Sequence, residues 1–72
     1  MPFLQVKILE GVFSGKQQQQ MIEQLTDTMV SIEGENMREL TLVVIEEVKS
    51  GAWGVGGKAF TTNDVKALAA GR

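Results

Sequence analysis

The 72-residue chain contains no cysteine and no histidine. Without thiols there is no disulfide framework and no thiolate nucleophile. Without imidazole, most zinc sites and the commonest general base are excluded. Long apolar runs are missing as well. Stretches such as Val43–Ile45 are a few residues long, against the ~20 that a membrane-spanning helix needs. The N-terminus shows no basic region leading into an apolar one, so no secretory signal is expected and the cytoplasm is the expected location. Charge of one sign is scarce too. Seven Lys and Arg against nine Asp and Glu give a net −2, with no basic cluster, so neither nucleic acid nor a membrane is an expected partner.

What remains is ordinary globular composition, 43% hydrophobic and 22% charged, read as a single domain over residues 1–72. A domain of ~60 residues buries only about 60% of the surface its unfolded chain exposes. With no disulfide and no evident metal to staple it, association with other copies is the expected way to cover apolar surface.

Residues Phe3 to Leu9 alternate with period two, Leu4, Val6 and Ile8 on one side and Gln5 and Lys7 on the other, which predicts a strand closed by Glu10 and Gly11. Ser14 followed three residues later by Gln17 is a capping-box pattern, so a helix should begin near Gly15 or Lys16. Met21, Leu25, Met29 and Ile32 then form its apolar stripe, with Ile22 beside them and Gly34 as the stop. The four glutamines from Gln17 to Gln20 are one solvated helical turn. Leu40 to Val48 is β-branched and nearly continuous in apolarity, which predicts a second strand covered on both faces. About thirty residues and one helix between the strands fit a right-handed crossover, so the strands should be parallel. Gly51 to Gly57 predicts a tight turn or hairpin. Thr61 with Asp64 predicts a short last helix with Val65 and Leu68 inward and Gly71 as its end.

The glycine-rich stretch is no phosphate loop. That pattern needs glycine at 52 and a hydroxyl at 59, and alanine stands at both. A dinucleotide fingerprint fails because no helix opens there. Glu46 and Glu47 are adjacent on a strand, face opposite sides and cannot act as a carboxylate pair. Arg38 stands alone between helix and second strand, and Trp53, the only tryptophan, is set among glycines. Pro2 has distinctive chemistry. Once Met1 is removed, it is a secondary amine at the chain terminus, where the reference pKa is about 7.7–8.0. Enclosure by apolar side chains lowers that value, towards what a base working near neutrality needs. With Met1 in place the same nitrogen is a tertiary amide without an available lone pair.

Pro2 opening a strand that ends Ile8-Leu9-Glu10-Gly11, the strand Val43-Val44-Ile45-Glu46-Glu47, and the turn Gly51-x-Trp53-Gly54-Val55-Gly56-Gly57 together resemble the 4-oxalocrotonate tautomerase family over about residues 2–58. The resemblance implies an α+β fold. Its protomer is β-α-β with parallel strands and a short C-terminal hairpin and helix, and it assembles into dimers and hexamers, as a homo-oligomer. It implies a cofactor-independent isomerase that moves a proton in a small 2-hydroxy-enoic or 2-oxo carboxylic acid. Pro2 would be the base, Trp53 a wall that keeps the site dry, and Leu9 a backbone contact from a neighbouring chain. Two family arginines are replaced here by Val12 and Leu42, and apolar side chains cannot hydrogen-bond a carboxylate or a dienolate oxygen. Arg38 is then the expected substrate-orienting cation, with Lys7 and Lys58 as further candidates. Two rivals share the scaffold. One is a hydratase, dehalogenase or decarboxylase that would need Glu46 or Glu47 in the pocket, and the other is a non-catalytic subunit of a mixed hexamer.

Overall fold

The computed structural model describes residues 1–71. In chain order the elements are β1 (Phe3–Leu9), α1 (Gly15–Glu33), a single 3-10 segment (Glu35–Leu40), β2 (Leu42–Val48), β3 (Trp53–Val55), β4 (Lys58–Phe60) and α2 (Thr62–Ala69). β1 and β2 run parallel, with Phe3 opposite Leu42 and Leu9 opposite Val48. The α1 crossover is what permits that direction, because parallel neighbours cannot be joined by a tight turn. β3 and β4 form a separate antiparallel hairpin. Among the described residues no helix is long and apolar enough to cross a membrane.

Helix α1 starts where the capping residues dictate. Ser14 Oγ accepts from the Gln17 N–H at 3.1 Å, and Gln17 Oε1 accepts from the Ser14 N–H at 2.9 Å. Two otherwise orphaned donors are thereby satisfied. Removing the hydroxyl by Ser14→Ala is expected to cost about 1 kcal/mol, read as a lower midpoint in urea unfolding. At the other end the Gly34 N–H closes on Val30 O at 2.8 Å.

Only Ile8, Leu9 and Val30 are buried hydrophobic residues among the described residues, each still 5–7% exposed. Val30, rather than the expected Ile32, completes the inner stripe of α1, and Ile32 is 78% exposed. The cause is geometric. At 3.6 residues per turn the covered positions Ile22, Leu25, Thr26, Met29, Val30 and Glu33 share one face, and Ile32 lies about a quarter-turn from its middle. A second correction concerns the start of the second strand. Leu40 ends the 3-10 segment, and pairing begins at Leu42. A third concerns α2, which ends at Ala69 and leaves Leu68 61% exposed while Val65 is half-buried.

The sheet has two unlike faces. Leu4, Val6 and Ile8 of β1 share the helix side with Val43 and Ile45 of β2. Phe3, Leu42 and Val44 stand exposed on the other side, where the Gln5 side chain donates to Glu46. Cover on both faces of β2 is therefore incomplete within one protomer. The radius of gyration is 14.9 Å, with extents of 43 × 22 × 18 Å, whereas a compact chain of this length approaches about 11 Å.

Candidate active site

The parallel sheet sorts the candidate residues to its two ends. At the starting end lies Pro2, half-buried, whose carbonyl accepts from the Leu42 N–H at 3.1 Å. That hydrogen bond extends the ladder by one residue and fixes the proline at the mouth of β1. Met1 precedes it and is 78% exposed. Arg38 belongs to the same end, because the Thr41 N–H donates to Arg38 O at 3.2 Å immediately before β2 begins.

The Arg38 guanidinium is already engaged. Nη1 donates to Asp27 Oδ1 at 2.8 Å, while Nε and Nη2 donate to the two Glu35 oxygens at 2.9 and 3.2 Å. This two-pronged bond holds the Glu35 carboxyl below the usual carboxylate range and raises the Arg38 pKa further above its ordinary value. All three side chains are solvent-exposed, so the cluster orders the 3-10 segment more than it stabilises the fold.

At the finishing end lies an open groove of about 330 Å3. Leu9 forms its buried floor with Ile8. Val12 and Phe13 come from the turn after β1, Trp53, Val55 and Phe60 from the hairpin, and Val65 from α2. Lys7 borders it as the one charged residue. The hairpin presents Trp53 directly opposite Phe60, because Gly56 and Gly57 make a two-residue turn with φ of 59° and 85°. Such positive angles suit glycine and match the twist of the paired strands.

A polar tether fastens α2 to this end. Glu10 Oε1 accepts from the Ser50 N–H at 2.8 Å, Ser50 Oγ accepts from the Thr62 N–H at 2.9 Å, and the Thr62 hydroxyl donates to Glu10 O. Gly11, at φ +78°, lets Thr62 approach, since a Cβ there would meet Thr62 Cγ2 at 3.1 Å. Val65 thereby reaches the groove.

The structure thus brings Leu9 and Trp53 together and places Pro2 and Arg38 at the opposite end. The seven residues of β1, at ~3.3 Å each, separate the two ends by roughly 20 Å. Val12 lines the groove, and Leu42 lies at the Pro2 end on the exposed sheet face. Glu46 and Glu47 face opposite sides as expected, Glu46 accepting from Gln5 and Glu47 from Gln18 Nε2 at 3.2 Å, and neither lines the groove. Phe13, Phe60 and Val65 were not expected in the lining. For Phe60 the signal was present, because a two-residue turn at Gly56-Gly57 obliges Trp53 and Phe60 to pair.

Comparison with known proteins places this framework. The sequence model of the tautomerase enzyme family matches residues 2–63, from Pro2 through the tether at Thr62. The chain belongs to the tautomerase family. A probable tautomerase of Dickeya dadantii is 34% identical over 61 residues, which cover 85% of this chain and 90% of that one. A probable tautomerase of Helicobacter pylori is 36% identical over 62 residues, covering 83% and 90%. Among solved structures, a 4-oxalocrotonate tautomerase isozyme from Methylibium petroleiphilum superposes with a TM-score of 0.72 at 32% identity. The match covers 99% of this chain and 100% of that one. The β-α-β unit with its hairpin and last helix is therefore the tautomerase fold, and membership makes this chain an isomerase.

Proposed function

We propose that the protein, once freed of Met1, interconverts enol and keto forms of a small 2-hydroxy-enoic or 2-oxo acid with Pro2 as the base. The observation that carries this reading is the division of the candidate residues, with a half-buried proline at one end of the sheet and an open, largely apolar groove at the other. A second copy running antiparallel along β1 would set the Pro2 of one protomer against the Leu9–Trp53 groove of its partner. Three features support such an assembly. The two-stranded sheet has open edges, Phe3, Leu42 and Val44 form an uncovered apolar face, and the buried core is small for a chain on its own. Dimers of this kind grouped in threes would give the homo-hexamer that the family resemblance implies, a single-domain cytoplasmic enzyme working without a cofactor.

The proton transfers balance. The Pro2 lone pair takes the hydroxyl proton of the enol, and the oxygen electrons close the carbonyl. The C=C electron pair then takes a proton from the Pro2 ammonium at carbon, which restores the free amine. Apolar walls favour this cycle, because they disfavour the charged amine and keep its pKa close to the working pH. Arg38 and Trp53 orient the substrate. Since Asp27 and Glu35 already hold its guanidinium, Arg38 contributes modestly. Arg38→Ala is expected to raise KM about threefold to tenfold with little change in kcat, as measured by steady-state kinetics. Glu46 and Glu47 stand away from the groove, which favours proton transfer over water activation.

The test follows enol absorbance with phenylenolpyruvate and 2-hydroxymuconate, using protein whose intact mass shows Met1 absent. The expected result is decay well above the buffer rate. Decay no faster than buffer with both acids would overturn the reading and favour a non-catalytic subunit.

A further inference from the structure

We propose that Lys7 anchors a carboxylate at the Trp53 groove, and that the groove takes a monocarboxylate with a compact apolar tail. The proposal rests on the reading above for the claim that this ligand is the substrate. The binding itself stands on the groove alone.

Three observations support it. First, every other residue that one protomer contributes to the lining is apolar, so the Lys7 ammonium is the one charged side-chain group of the groove itself. Second, that ammonium is uncommitted. Its neighbour across the sheet is Glu46, whose carboxylate accepts from Gln5, and among the described residues Lys7 has no ion-pair partner. Third, the groove offers about 330 Å3, the lower end of the ~300–1,000 Å3 typical of small-molecule sites.

Charge matching then selects the ligand. An ammonium is a compact point charge, suited to one carboxylate rather than to a spread of oxygens. A second carboxylate on the same ligand would lie against Val12, Phe13 or Trp53, where it would lose water and gain no donor. An aromatic or branched aliphatic tail instead gains contact with the Trp53 and Phe60 rings. Lys7 therefore discriminates acids from neutral molecules, and the walls discriminate against diacids.

Trp53 is the only tryptophan and lines the groove, so its fluorescence reports occupancy without any chemistry. The Met1-free protein is titrated with 3-phenylpropionate, its primary amide and adipate. The acid is expected to bind about tenfold more tightly than the amide, the size expected of a charge-assisted contact. Adipate should bind more weakly than 3-phenylpropionate. Lys7→Gln should abolish the preference for acid over amide, and Lys7→Arg should keep it. Equal binding of acid and amide by the unaltered protein would overturn the proposal, as would an intact preference in Lys7→Gln or no Trp53 response to the acid. Failure of the two readings is separable. Acid binding without turnover sinks Pro2 catalysis alone, whereas turnover with no role for Lys7 sinks this proposal alone.

Discussion

Pro2→Ala is expected to lower kcat/KM for enol-to-ketone conversion by about 10^2 or more, within the ~10^2–10^4 that a positioned general base contributes. The loss falls short of total for a chemical reason. With Met1 removed, alanine still presents an amine at the terminus, but a primary one whose lone pair swings freely about the N–Cα bond. Proline instead fixes its lone pair relative to β1, because the ring is part of the backbone and the carbonyl is held by the Leu42 N–H at 3.1 Å. The orientation, rather than the basicity, is what alanine gives up. Protein retaining Met1 is expected to lose proline-dependent turnover completely, since an amide nitrogen can neither accept nor return the proton. Equal rates for the unaltered protein and Pro2→Ala would remove Pro2 from the mechanism.

Ile8→Ala is expected to destabilise the fold by about 2–4 kcal/mol, the range for deleting a buried branched side chain and leaving a cavity. Ile8 is one of the three buried core residues, and its side chain lies on the helix side of β1. No redundant core exists to absorb the loss, and marginal domains have only ~5–15 kcal/mol in total. The check is urea unfolding at fixed protein concentration, because any assembly makes the midpoint concentration-dependent. Ile32→Ala is the control. That side chain is 78% exposed on α1, and its removal is expected to change stability by less than ~0.5 kcal/mol.

The contrast between Ile8 and Ile32 also shows how far the fold could be read from sequence. Period-two alternation over Phe3–Leu9 is enough for the strand and for grouping Leu4, Val6 and Ile8 on one side, because successive strand residues face opposite ways, and the helical crossover is enough for the parallel direction. The capping residues Ser14 and Thr61 gave both helix starts. The inner stripe of α1 is legible at Leu25 and Met29 but not at Val30, since apolar residues at every third or fourth position satisfy more than one helical face. Leu68 misled for a related reason. Helix α2 has eight residues, too few turns for periodicity to choose a face, and the Glu10–Ser50–Thr62 tether sets its orientation instead.

The site was legible in its parts rather than in its arrangement. Pro2 and Trp53 are conspicuous as residue types, but sequence spacing says nothing of the roughly 20 Å between them that a seven-residue strand imposes. Arg38 was expected beside the substrate, and nothing local announced that Asp27, eleven residues earlier, would share it with Glu35. The groove lining was hidden because Lys7, Phe13, Phe60 and Val65 come from four separate parts of the chain.

The most direct test is the pH dependence of kcat/KM for Met1-free protein, with a substrate whose own ionisation lies outside the range. In the proposed mechanism the free amine is the active form, so the rate should rise with pH and level off once Pro2 has lost its proton. In the proposed dimer the partner's apolar groove encloses Pro2, which predicts a midpoint below the ~7.7–8.0 of an ordinary chain-terminal amine. A profile still rising throughout the range above pH ~8 would show a solvated, fully charged terminus at neutrality and would contradict the account.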